Sequence, residues 1–196
     1  VLKDLARNYS VLRIGYAQNG GLGFALRYGF NYLIPKIGNA DLVVTMDADN
    51  TGDLGILGVM IAKTSDFDVV LASPYTDGGA LVGVPFLRRA LSRIANLFDL
   101  VIFRIKGVRT YSSLYRVYRG QKLKELREIY RRRYLTEDGF GAVVELLLKL
   151  HRIGAKICEV PAVVDWSKRQ GKSKMNIVRA IRSHLNLYYK YLSGKY

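Results

Sequence analysis

The chain has 196 residues, 49% of them hydrophobic, which is enough for one domain, or one domain and a short appendage, around a sizeable core. Its 31 Lys and Arg against 16 Asp and Glu leave a formal net charge of +15, so some face is strongly basic and candidate partners are nucleic acid, anionic lipid or a phosphorylated small molecule. One cysteine, Cys158, excludes an internal disulfide, and the isolated His151 and His184 exclude a His/Cys metal cluster; there is no visible signal peptide and no apolar run near the ~18 residues of a membrane span.

The chain opens on "VLKDLARNYSVLRIGY", without a start methionine, and closes inside a helical pattern, so both ends read as cut. Val11 to Tyr16 reads as a short strand. "GGLGFALRYGFNYL" follows as a glycine turn opening a helix, with Leu22, Ala25, Leu26, Phe30 and Leu33 on one face. Its glycines match a dinucleotide fingerprint poorly, because Leu26 takes the place of the third. Asp41 to Met46 is a nearly continuous apolar strand, as expected of a parallel strand covered on both faces. A helix from Asp53 to about Lys63 and a buried strand, Phe67 to Ser73, continue the alternation, which points to an α/β fold with a parallel sheet.

Pro85 to about Phe103 is helical and basic, and Tyr111 to Arg119 alternates like a strand. Gly139 to Arg152 reads as an amphipathic helix. "AKICEVPAVVDW" is a strand pair or bent strand broken at Pro161, with Cys158 as a small core residue. "SKRQGKSK" is a basic glycine loop, and Met175 to Tyr196 is a final helix. That helix carries Val178, Ile181, Leu185, Tyr188 and Leu192 on one stripe. Past Asp165 there is no acidic residue, against eight basic ones: Lys168, Arg169, Lys172, Lys174, Arg179, Arg182, Lys190 and Lys195. A basic amphipathic helix with tyrosines fits an anionic membrane surface; the alternative is a helix packed on the domain with solvated charges.

The sharpest chemistry lies in "DLVVTMDADN", where a strand ends on Asp47 and Asp49. Residues two apart in extended chain point to one side, and ligands of open α/β sheets sit at the carboxyl ends of strands. Two carboxylates there make a hard-oxygen site for Mg²⁺ or Mn²⁺. The alternative is an acidic turn capping the helix that begins near Asp53.

This segment resembles the DxD motif of GT-A glycosyltransferases of family 2. "NGGLGFALRYGF", "ASPYTDGG", "RRALSRIAN", "VRTYSSLYRVYR", "GFGAVVELLLKLHRIGAKICEVP" and "KRQGKSKM" resemble further blocks of that family, in its order, over most of Asn19 to Met175. The branch it is most similar to is the dolichyl-phosphate mannosyltransferase type. The resemblance implies a GT-A fold, a mostly parallel sheet flanked by helices. Residues 1–174 would be the catalytic domain, lacking an N-terminal nucleotide-binding unit, and 175–196 a basic amphipathic helix on a membrane or opening a membrane-associated region. It implies metal-dependent, inverting transfer of a sugar from a nucleotide-sugar donor, of GDP-mannose or UDP-glucose type, to a polyprenyl phosphate at the cytoplasmic face of a membrane. Nucleic acid is not expected as a partner.

In such enzymes Asp47 and Asp49, with Thr51, would hold Mg²⁺ or Mn²⁺ against the donor diphosphate. Lys168, Arg169, Ser173 and Lys174 would supply diphosphate donors, and Arg93, Arg109 and Ser113 would bind the acceptor phosphate, arginine through its bidentate fork. Glu145 and Glu159 read as anchors for neighbouring arginines. The pattern departs at four places. The family's first nucleotide-binding strands are not seen before Val11. Thr110 and Leu114 replace an aspartate and a glycine. Thr51 replaces a glutamine, and Lys168 stands for an arginine, with Arg169 beside it. The alternatives are a saccharide-hydroxyl acceptor with Asp138 of "TEDGF" as base, a non-catalytic relic of the fold, or a basic nucleic-acid-binding domain, for which the sequence offers "RRR" at Arg131 to Arg133 but no recognition motif.

Overall fold

The computed structural model describes residues 12, 14–15, 18–169 and 177–195. The strand expected over Val11 to Tyr16 lies largely outside them, as do Lys172, Ser173 and Lys174 of the basic loop. Helix α1 (Gly21–Leu33) leads to strand β1 (Leu42–Thr45); a 3-10 turn (Leu54–Ile56) and α2 (Leu57–Lys63) lead to β2 (Val69–Ser73). Then come β3 (Ala80–Val82), α3 (Phe86–Phe103), β4 (Arg116–Arg119), α4 (Gly120–Tyr130), α5 (Gly141–Arg152), β5 (Ile157–Pro161), β6 (Val163–Asp165) and α6 (Ile177–Leu192).

Among the described residues the main sheet has the order β1-β4-β2-β5, and β3 pairs with β6 in a small parallel sheet. β2 and β5 are parallel, whereas β4 is antiparallel to both β1 and β2. The sheet is therefore mixed, where a mostly parallel sheet was expected: three strands run one way and β4 runs against them, so both pairings of β4 are antiparallel. The chain leaves β2 at its carboxyl edge and stays on that side through β3 and α3. It re-enters the sheet from the same edge, so β4 has to run backwards.

Side chains of β2 alternate between two cores. Val69 and Leu71 join a large cluster with Phe30 of α1, Leu123 of α4, Leu147 of α5 and Leu187 of α6. Val70 and Ala72 join a smaller one with Met60 of α2, Tyr115 and Val160. Both faces of β2 are thus covered, and all five of its residues are buried. β1 differs from expectation. It is an edge strand among the described residues, as β5 is at the other side, and Val44 is 42% exposed.

α5 is not amphipathic. Every residue from Gly141 to Leu150 is buried, because α1, α4 and α6 close around it. Its two buried polar side chains, Glu145 and Lys149, pair with each other at 2.6 Å. Glu145 also accepts the backbone N–H groups of Thr136 and Glu137, so it anchors the "TEDGF" turn and a lysine, not an arginine. α1 packs on that same turn: a Cβ at Gly23 would collide with the Glu137 carbonyl, and the Gly23 N–H donates to Asp138 O at 2.9 Å. Gly21 and Gly23 of "GGLGF" thus allow the close approach of α1 to this turn.

Candidate active site

At the carboxyl edge shared by β1, β2 and β5, where β4 enters, a half-open cleft of about 220 Å³ is lined by Asp47, Thr51, Tyr75, Ser92, Thr110, Ser113, Tyr115 and Trp166, among others. Five chain segments meet there: the loop after β1, the chain from β2 through β3, α3 at Ser92, the segment before β4, and the chain from β5 through the turn after β6. Blocks far apart in sequence become one site because each leaves or enters the sheet at one edge.

The carboxylate pair sits on the first segment. Asp49 Oδ1 accepts the Thr51 hydroxyl at 2.7 Å and the Thr51 N–H at 3.2 Å, so Thr51 orients Asp49 in this state. The other oxygen, Oδ2, lies 3.3 Å from Arg169 Nη1. Asp47 is open to the cleft, yet the protein crowded round its carboxyl and the Asp49 charge raise its pKa, while Arg169 pulls it back. Two carboxylates that repel each other and face solvent on one side fit a hard divalent cation that keeps water and phosphate oxygens in its shell. No group of three or more His, Cys, Asp or Glu side chains suited to a metal occurs among the described residues, so the other positions would fall to hydroxyl, water and ligand oxygens.

Arg169 reaches Asp49 because of what precedes it. Asp165 caps the 3-10 turn Trp166–Lys168, accepting the Ser167 N–H at 2.9 Å, and Asp165 N donates to Thr51 O at 3.0 Å. The turn is thereby tied to the aspartate loop. Lys168, in the place where the family resemblance expects arginine, is exposed, and the half-buried Arg169 is the residue that reaches the carboxylates. The Trp166 ring has the Arg169 and Arg88 guanidiniums each 4.9 Å from its centre. Burial lowers the pKa of Arg88, and Arg169 adds to this.

Opposite lies the segment Arg109–Ser113. It is irregular yet partly buried, so its backbone groups need partners. Glu159 Oε1 accepts the N–H groups of Arg109 and Thr110, at 2.8 and 2.6 Å. Asn96 of α3 donates to Arg109 O and accepts the Tyr111 N–H. Arg116, buried on β4, donates to Tyr111 O at 2.7 Å. Thr110 is 2% exposed and its hydroxyl bonds that of Ser73, so it points into the protein and not at the cleft opening. Ser113 lines the cleft; Arg109 is exposed and pairs loosely with Asp77 at 3.4 Å; Arg93 is exposed on α3, next to the cleft residue Ser92.

Asp138 lies elsewhere. It pairs with Arg27 at 2.8 Å and does not line the cleft. Its neighbour Glu137 accepts from Ser183, Asn186 and Lys190, which pins α6 to the domain. Cys158 is half-buried, and burial pushes its thiol pKa up to about 11, so it is a poor nucleophile. Sequence reasoning missed Trp166 and Asn96. Asn96 stood inside the quoted "RRALSRIAN", but its role needs the turn it clips, which is 13 residues away.

The chain is 26% identical over 156 residues, 80% of its length, to the undecaprenyl-phosphate mannosyltransferase of Micrococcus luteus. It is 27% identical over 158 residues, again 80% of its length, to the polyprenol monophosphomannose synthase of Mycolicibacterium smegmatis. These two relatives bear out the resemblance read from the motif blocks. No family model matches the chain. The chain spans 61% and 56% of the lengths of those relatives. Its α/β architecture, with helices against both sheet faces, is compatible with a GT-A fold.

Proposed function

We propose that this chain is the catalytic part of an inverting, metal-dependent transferase that moves mannose from a nucleotide-mannose donor to a polyprenyl phosphate. The observation that carries the reading is the meeting, in one cleft, of the Asp47–Asp49 loop and the heavily anchored Arg109–Ser113 segment. The two relatives, named for mannosyl transfer to polyprenyl phosphates, support the choice of sugar and acceptor.

The chemistry asks little of a general base. A lipid monophosphate has a second pKa of about 6 and is mostly dianionic at neutral pH. Its oxygen attacks the anomeric carbon while the bond from that carbon to the diphosphate oxygen breaks, and the electron pair leaves with the nucleoside diphosphate. A single in-line displacement inverts the anomeric centre. Asp47 and Asp49 would hold the divalent cation, which when bound offsets charge on the leaving diphosphate. Arg169 lies beside that position, and Lys168, Ser173 and Lys174 follow as further diphosphate donors. Arg93, Arg109 and Ser113 would orient the acceptor phosphate, which explains why the backbone of 109–111 is fixed from three directions.

A long polyprenyl chain also requires access to a bilayer. No helix among the described residues is long and apolar enough to cross a membrane. α3 instead shows solvent an apolar stripe at Ile94, Leu97, Phe98 and Val101, and α6 shows Val178, Ile181, Leu185 and Leu192. With the excess of basic residues these stripes support attachment to an anionic membrane surface.

Incubation with radiolabelled GDP-mannose, undecaprenyl phosphate and Mn²⁺ tests the reading. It requires a mannosyl-phosphoryl lipid of inverted anomeric configuration, formed with Mn²⁺ and not with chelator. Hydrolysis of the donor without lipid product would refute the acceptor, and retention of configuration would refute the displacement.

A further inference from the structure

Arg169 occupies the face of Asp49 that a cation needs. One oxygen of Asp49 is committed inward to Thr51, and the other meets Arg169 Nη1 at 3.3 Å. The guanidinium is about a quarter exposed, is steered by the capped turn Trp166–Lys168, and lies against the Trp166 ring 4.9 Å from its centre. Arg88 lies against the same ring at 4.9 Å, so Arg169 sits between an attractive carboxylate and a like charge. A divalent ion on Asp49 Oδ2 would stand within a few ångströms of that guanidinium, and the two positive charges repel strongly at such range.

We propose that Arg169 is the built-in counter-ion of the carboxylate pair in the metal-free protein, that a divalent cation displaces it from Asp49, and that the displaced guanidinium then engages the diphosphate. This rests on the metal reading of Asp47 and Asp49 given above. The exchange limits uncompensated charge at each stage: Arg169 offsets one of the two carboxylates in the metal-free protein, a divalent cation would offset both, and the displaced guanidinium would then offset ligand charge brought in with the metal. It also makes Trp166 a reporter. Trp166 is the only tryptophan of the chain, and it loses one of the two cationic neighbours it has among the described residues when Arg169 moves.

The test compares wild type with Arg169→Met and Arg169→Lys, each shown by circular dichroism to be folded. Mn²⁺ binding is counted from the electron paramagnetic resonance of the free ion, and Trp166 emission is followed with diamagnetic Mg²⁺. Removing a partly exposed competing charge should tighten Mn²⁺ binding about fivefold in Arg169→Met, the scale of one such ion pair. Arg169→Lys should return the affinity toward wild type. Mg²⁺ should change Trp166 emission in wild type and barely in Arg169→Met. Inorganic pyrophosphate added with Mg²⁺ should bind more weakly to Arg169→Met, an effect opposite in sign to that on metal alone. A merely structural arginine would move both affinities the same way. Equal or weaker Mn²⁺ binding by folded Arg169→Met overturns the counter-ion exchange while leaving the metal site standing. Failure of wild type and variants alike to bind Mn²⁺ overturns both.

Discussion

Glu159 and Thr110, 49 residues apart in sequence, meet at 2.6 Å through a backbone N–H and a carboxylate oxygen, and that oxygen takes the Arg109 N–H as well. Burial raises the Glu159 pKa, and the two backbone N–H groups and the Ser73 hydroxyl oppose the rise. Glu159→Ala would leave two N–H groups of the segment without an acceptor, at about 1–3 kcal/mol each. Its kcat/KM for polyprenyl phosphate should fall about tenfold or more, with little change in donor binding, and Glu159→Gln should fall in between because its amide oxygen still accepts. Steady-state kinetics with each substrate varied in turn would show this, and an equal effect on donor binding would contradict the assignment.

Asp138 has a defined job in the fold. It neutralises Arg27 at 2.8 Å, and its carbonyl receives the Gly23 N–H. Asp138→Asn should change the rate of mannosyl transfer by no more than about fivefold, since an exposed pair contributes ~1 kcal/mol or less. A loss of several orders of magnitude would instead mark a general base and favour a saccharide hydroxyl as acceptor.

The sequence told more about the strands than about how they pair. β2 was legible because a run such as Val69–Ser73 has no polar face. Asp47 and Asp49 were legible because a polar pair ends an apolar run. The mixed sheet was not, because strand direction depends on which edge the chain re-enters, and no local pattern records that for Arg116–Arg119. α5 misled because Glu145 and Lys149 mimic a polar face while satisfying each other inside. On the final helix, the stripe through Tyr188 divides. Val178, Ile181, Leu185 and Leu192 stay exposed, while Leu187, Tyr188 and Tyr191 do the packing. The basic loop showed its charge, but that Arg169 rather than Lys168 meets Asp49 depends on the capped turn before it.

Asp99 joins α3 to α6 and gives the seam a pH dependence. It is 1% exposed, accepts the Tyr188 hydroxyl at 2.9 Å and lies 3.7 Å from His184 Nε2. Burial raises its pKa to about 6, against the opposing pull of His184 and the Tyr188 hydrogen bond. A carboxyl whose folded pKa exceeds its unfolded one binds more protons when folded, so its contribution is full below about pH 4 and is lost as pH rises through about 6. Wild type should therefore lose about 2–3 kcal/mol relative to Asp99→Asn between about pH 4 and 7. Thermal or urea unfolding across that range would show it; parallel profiles would contradict it.

The exposed stripes of α3 and α6 make a separate prediction. Replacing Leu97 and Phe98, both more than half exposed, by Asp should leave thermal stability nearly unchanged. Partitioning onto phosphatidylglycerol vesicles should drop at least about tenfold, because each such side chain contributes about 1.5–3 kcal/mol when buried in lipid. Unchanged co-sedimentation with vesicles would rule these stripes out as the membrane contact.

The central claim is that Asp47 and Asp49 hold a cation against a nucleotide-sugar diphosphate, and calorimetric titration with GDP-mannose tests it most directly. Binding that requires Mn²⁺, disappears with chelator and is lost in Asp49→Asn is the predicted result. Binding of equal strength with chelator present, or intact binding by Asp49→Asn, would contradict it.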